Sequence, residues 1–160
     1  MTKTHLYNTT LTWDGADGGT TINYKFYSRN HAVEIEGKAS FVMSADPAFL
    51  GDASKLNPED CLLVALSSCH MLSYLAIAAM KGVEVTAYVD RASGTMIQEG
   101  HGGRFTEVIL KPVVTISAHS DEALARELHH TASESCFIAS SVNFPVKHMP
   151  TIVVQDRMKT

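Results

Sequence analysis

Cysteine is scarce and odd in number: Cys61, Cys69 and Cys136 are the three in 160 residues. That excludes a disulfide scaffold, which needs paired cysteines in a short exported chain. Charge is sparse too. Charged residues make up 19% of the chain, the net charge is -4 and no Lys/Arg cluster stands out, so a nucleic-acid footprint is excluded. Long unbroken apolar runs are missing. The longest, Cys61 to Met80, is interrupted by Ser67, Ser68, His70 and Ser73, which reads as a buried core helix rather than a membrane span. Met1 to Asn8 is polar and lacks the apolar centre of a secretory signal. The expectation is a cytoplasmic protein with reduced thiols, no membrane and no nucleic-acid partner.

Several motifs are missing as well. The His129-His130 pair, Cys136, Cys69 and His70 raise zinc, but no Cys-x-x-Cys or His-x-x-x-His spacing occurs, so no metal site is expected. Ser67-Ser68 lacks the Gly-x-Ser-x-Gly elbow of serine hydrolases. There is no internal repeat, linker or low-complexity tract.

What is present suits one globular domain over residues 1–160. Hydrophobic residues reach 45%, enough for a real core at this length. His5–Trp13 and Thr20–Tyr27 alternate around the turn cluster Asp14–Gly19, which predicts a β-hairpin. His31–Ile35 and Lys38–Met43 extend the sheet around Glu36-Gly37, and 45–56 reads as a loop. Asn57-Pro58-Glu59-Asp60 announces a helix: an N-cap, a proline suited to the first position and two acids in the positive first turn. It runs to about Lys81, stops at Gly82 and is apolar nearly all round, so it should be buried on most sides. Val83–Gln98 and Arg104–Ala118 predict two long strands about the Gly-rich turn 99–103, a curved ribbon. Ser120-Asp121-Glu122 caps a second helix through about Ser135, and Asn143–Gln155 is a final strand. Antiparallel strands with helices between them give an α+β fold. One all-apolar central helix is hard to cover within a single copy, so a second copy is expected to cover part of it.

Two thiols lie on separate helices. Cys69 sits mid-helix in Ser67-Ser68-Cys69-His70, and Cys136 ends the second helix in Ser135-Cys136-Phe137. Either both are inert packing, the usual fate of a free cysteine, or they are a redox pair. Cys61 lies about 80° around the helix from Cys69 and reads as packing. His70 points about 100° from Cys69 and reads as a base, a pocket residue or, with more weight, a satisfied core histidine. His31, Trp13 and Phe49 are candidates for lining a substrate pocket, against a plain packing role.

The spacing Asn57-Pro58-Glu59, then Cys69 ten positions after the Glu, then a second helix ending in Cys136, resembles the OsmC/Ohr family, the osmotically induced and organic hydroperoxide resistance proteins. The resemblance covers nearly the whole chain. It implies an OsmC-like α+β fold, curved antiparallel sheets wrapped around long central helices in an intertwined homodimer with two interfacial sites. It also implies a thiol peroxidase: Cys69 attacks an organic hydroperoxide, Cys136 resolves the sulfenic acid to a disulfide, and an external dithiol, lipoyl-type in some members, restores both. No bound cofactor is implied.

Family Arg and Glu residues support the first cysteine, and Glu59 matches the Glu. The family's arginine positions are not filled. Asp14–Gly19 contains no Arg, and Leu50 stands near the place of the other. Arg29 is then the expected cation, with Lys55 second. The chemistry requires one, because a buried thiol has a pKa near or above about 8.5 and ionises poorly at neutral pH without a nearby positive charge. At about 1.5 Å rise per residue, Glu59 and Cys69 are about 15 Å apart along their helix, so Glu59 could reach only the Cys69 of a second copy. A rival reading is a binding module on the same fold, with an apolar pocket and idle cysteines, or a structural stress protein.

Overall fold

The computed structural model describes residues 2–15 and 19–155. It resolves into two compact units, Met1–Leu62 and Leu63–Thr160.

The first unit carries a three-stranded antiparallel sheet of β1 (Thr10–Thr12), β2 (His31–Glu34) and β3 (Phe41–Met43), in the order β1-β2-β3. The expected hairpin between 5–13 and 20–27 is corrected. β1 pairs with β2, and residues 20–27 form turns. The reason is local: Asn23 Oδ1 accepts the Lys25 N–H (3.0 Å) and its carbonyl accepts the Phe26 N–H (3.1 Å), so side chain and turn take up the groups a strand would pair. The expected turn at Asp14–Gly19 lies partly outside the described residues. After β3, Asp46 closes a short 3-10 turn, Pro47–Phe49, by accepting the Ala48 N–H (2.7 Å). Leu50 follows at φ 64°, and a Cβ at Gly51 would collide with the Ala45 carbonyl. This loop therefore needs glycine at 51, and it fixes where Phe49 points.

Helix α1 (Pro58–Met80) starts as its sequence predicts. Asn57 Oδ1 accepts the Asp60 N–H (2.8 Å), and Asp60 Oδ2 accepts the Asn57 N–H (3.4 Å), a reciprocal cap. It ends with Val83 N–H on the Ala78 carbonyl (2.9 Å), Gly82 N–H on that of Ala79 (3.3 Å) and Gly82 at φ 75°, a Schellman stop.

The second unit holds two three-stranded sheets. Their orders are β4-β7-β9 and β5-β6-β8, from β4 (Val85–Asp90), β5 (Ser93–Glu99), β6 (Gly102–Leu110), β7 (Pro112–Ile116), β8 (Val146–His148) and β9 (Thr151–Val154). The two long strands of the expected ribbon are each broken, so that β4 pairs with β7 and β5 with β6. The final strand is broken too, into β8 parallel to β6 and β9 parallel to β7. Prolines 112 and 150 mark two of the breaks, since each lacks the N–H a ladder requires. Asp90 marks the third, where its Oδ1 accepts the Lys111 N–H (2.7 Å).

Helix α2 (Glu122–Glu134) is capped by Asp121, which accepts the Leu124 N–H (3.0 Å). It buries Ala125, Leu128, His129 and Ala132, a helical stripe. These pack with Tyr74 and Ala78 of α1 and with Val114, Ile116 and Ile152 of the sheet. The Tyr74 hydroxyl donates to the Ala125 carbonyl (3.0 Å).

α1 is long and apolar enough to cross a membrane, yet it buries a stripe inside this unit: Leu66, His70, Tyr74 and Ala78. The expectation that it is covered on most sides is corrected for a single copy. Val64 is 61% and Leu72 59% exposed, while Tyr74 and Ala78 of the buried stripe pack with α2 and with Val114, Ile116 and Ile152.

Candidate active site

In the second unit α1 carries Cys69, and the chain just past α2 carries Cys136. Both are free thiols; Cys136 is buried and Cys69 half-buried. Cys136 follows the last turn of α2, where Ser135 is the cap and the Cys136 carbonyl accepts both the N–H and the hydroxyl of Ser140. Its sulfur accepts the Ala139 N–H at 3.5 Å. Burial first, and then the neighbouring Cys69 thiol, push the Cys136 thiol up to about 11. The Cys69 thiol is thus near enough to raise that of Cys136, which holds its proton at neutral pH.

Two residues before Cys69, Ser67 donates to Asp90 Oδ2 (2.5 Å). Because Asp90 also holds the Lys111 N–H, it clamps α1 to the strand break. This clamp is not legible from sequence spacing.

His70 lies in the core. It is 2% exposed, and its Nε2 lies 3.0 Å from His129 Nδ1. The rings of Tyr74, His129, His70 and His148 stack in series, at 4.0, 5.3 and 5.6 Å between successive centroids. Burial drives His70 down to about 4 and His129 to about 3. These neutral rings fit the core reading of His70 and not a role as base or pocket wall. The His129-His130 pair gives no metal ligand set, and among the described residues no group of three or more His, Cys, Asp or Glu could hold a metal ion.

The first unit gathers the other candidates. Trp13, Arg29, His31, Phe49 and Glu59 all line one cavity of about 310 Å3. The Arg29 guanidinium donates to the carbonyls of Tyr27 and Tyr24 and lies over the Tyr27 ring, 3.8 Å from its centroid. Among the described residues no carboxylate pairs with it. Glu59 Oε2 is buried without a hydrogen-bond partner among the described residues. Trp13 is pinned by its Nε1–H on the Ser28 carbonyl (2.7 Å), and His31 Nδ1 lies 3.0 Å from the Arg29 carbonyl. Lys55 is exposed and lines no described cavity. Cys61 donates to the Met43 sulfur (3.9 Å), and burial raises its pKa, as a packing thiol would show.

A mixed α+β chain with a free thiol pair, one on its long helix and one just past its second, defines a class of dithiol proteins. The protein-family model that matches it is that of OsmC-like proteins, over residues 51–149. The chain belongs to the OsmC-like family.

Among solved structures, an OsmC-like protein of unknown function from Vibrio cholerae is 33% identical. It has a TM-score of 0.84 over 92% of this chain and 99% of that one. An organic hydroperoxide resistance protein from Elizabethkingia anophelis shares the fold at 16% identity and TM-score 0.69, covering 97% of this chain and 100% of that one. Another, from Legionella pneumophila, does so at 16% and 0.67, covering 94% and 100%. A search of curated proteins gives no match.

Proposed function

We propose that this protein is a thiol-dependent peroxidase that reduces organic hydroperoxides, working as a homodimer with shared sites. The observation that carries it is the approach of two free thiols, Cys69 on α1 and Cys136 just past α2. The family membership and the hydroperoxide-resistance proteins of the same fold support it.

In the cycle, the Cys69 thiolate attacks the distal oxygen of the hydroperoxide. The S–O bond forms, the O–O bond breaks, and the alkoxide leaves and takes a proton to become the alcohol. Cys136 then gives its proton to the departing sulfenic hydroxyl as its sulfur attacks that of Cys69; the S–O bond breaks, an S–S bond forms and water leaves. An external dithiol, becoming a disulfide itself, returns both thiols. The second thiol matters because an unresolved sulfenate oxidises further and irreversibly.

Arg29 is the proposed cation and Glu59 its orienting acid. Arg29 is positioned by carbonyls and, among the described residues, is not paired with a carboxylate, which leaves its charge available to a thiolate or a peroxide oxygen. The ten-residue spacing on one helix keeps Glu59 from the sulfur of its own copy, so the proposal places it by the Cys69 of a second copy. Exposed apolar side chains support that assembly: Val64, Leu72 and Met80 on α1, and Ile22 and Phe26 in the first unit. The test is peroxide consumption by the reduced protein with a dithiol present. Steady turnover that vanishes in Cys69→Ser supports the reading, and undiminished turnover in that variant overturns it.

A further inference from the structure

The cavity of the first unit is walled largely by rings. Its walls include Trp13, Tyr27, His31 and Phe49, four ring-bearing side chains around one small space. At about 310 Å3 it sits at the lower end of ligand pockets, which span about 300–1,000 Å3.

The walls are fixed before any ligand arrives. Trp13 is held by Ser28 and meets Tyr27 edge-on, with centroids 6.1 Å apart and planes at 89°. Tyr27 carries Arg29 on its face. Phe49 is set by the Asp46 cap and the closed loop behind it. A Cβ on Gly15 would lie 2.6 Å from the Trp13 ring, so glycine there leaves that ring its place. Rings held this way meet a flat apolar body at little entropic cost, whereas a long flexible chain must be ordered to fit. The polar end is matched as well. Glu59 offers a buried oxygen with no donor among the described residues, and Arg29 has donors beyond the two its carbonyls use. A hydroperoxide head, or the alcohol it becomes, donates to the first and accepts from the second.

We infer that this cavity selects hydroperoxides with a compact aromatic body over long linear ones. The inference rests on the peroxidase reading, and two measurements separate its failure from that of the reading. Trp13 is the chain's one tryptophan, so its emission reports the cavity without any turnover. Cumyl alcohol should change that emission saturably, and 1-octanol at equal concentration should not; an equal or stronger response to 1-octanol overturns the inference. In turnover, kcat/KM for cumene hydroperoxide should exceed that for linoleic acid hydroperoxide by tenfold or more, and Phe49→Leu should shrink that ratio several-fold while the far-ultraviolet circular dichroism is kept. Turnover of both peroxides at equal kcat/KM overturns the selectivity and leaves the peroxidase reading standing. No turnover of either peroxide overturns the peroxidase reading, and the Trp13 titration then decides the cavity alone.

Discussion

The Cys136 thiol is buried against the Cys69 thiol and, through burial and that neighbour, keeps its proton up to about pH 11. In the proposed cycle Cys69 is the sulfur that attacks the peroxide, and Cys136 is the protonated partner that closes the disulfide. Cys136→Ser should give one rapid peroxide reduction per chain and then stop, with Cys69 advancing to sulfinic acid under excess peroxide. Rapid-mixing kinetics with mass spectrometry reads both. Continued multiple turnover in Cys136→Ser contradicts its role as resolving thiol.

Arg29 is the second test. Removing a preorganised donor from a site of developing negative charge costs about 10²–10³-fold in rate. Arg29→Ala should lower kcat/KM by about that factor, and Arg29→Lys should recover only part, because two of its N–H groups are used to hold its position. An Arg29→Ala enzyme within twofold of wild type would leave the thiolate without its proposed partner.

The histidine stack predicts acid sensitivity. His70 at about 4 and His129 at about 3 lie below the unfolded value of 6.5, mainly through burial; His148 is lowered for the same reason. Around them, His148 and Arg126 disfavour protonation, while Asp90 favours it at His70. The unfolded chain thus binds more protons below pH 6.5. Stability is complete above that value and falls as pH drops from 6.5 towards 4 and 3, by up to about 1.4 kcal/mol per pH unit for each histidine. Urea midpoints at pH 7.5, 6 and 5 measure it. His129→Phe should flatten the slope, and a midpoint independent of pH in the wild type would remove the argument.

The clamp of Asp90 on Ser67 and Lys111 predicts a stability effect near the thiols. Asp90→Ala leaves the Lys111 N–H and the Ser67 hydroxyl without their acceptor, which should cost about 1–3 kcal/mol. Denaturant unfolding checks it. Ser67→Ala, which removes one bond of the two, should cost less.

The apolar outer face of α1 predicts assembly. Leu72, 59% exposed in one copy, should be covered in the dimer. Sedimentation should give twice the chain mass for wild type. Leu72→Glu should give single chains with peroxide turnover lost, and single Leu72→Glu chains with full turnover would contradict the shared site.

Much of this was legible in the sequence, where local chemistry decides. Asn57-Pro58 and Gly82 bound α1 because caps are written in a few residues, and the α+β order followed from period and turn signals. Cys69 and Cys136 could be singled out; Trp13, His31 and Phe49 as pocket candidates and Arg29 and Glu59 as candidate cation and acid line one cavity, whereas His70, a pocket candidate too, is buried in the core. The fold of the N-terminal segment was not legible, because the alternation of Ile22, Tyr24 and Phe26 looks like a strand while Asn23 closes a turn. The strand breaks depend on tertiary partners, Asp90 to Lys111 above all, which no window of sequence contains. The stack of His70, His129, His148 and Tyr74 joins four positions from three elements, and spacing carries no trace of it.

The most direct measurement is a count of free thiols before and after one equivalent of cumene hydroperoxide, with peptide mapping of the product. The account predicts the loss of two thiols per chain and a single new link, Cys69 to Cys136 within one chain, with Cys61 still free. Three free thiols after the peroxide is added, or a disulfide that joins Cys61 in place of either, would contradict it.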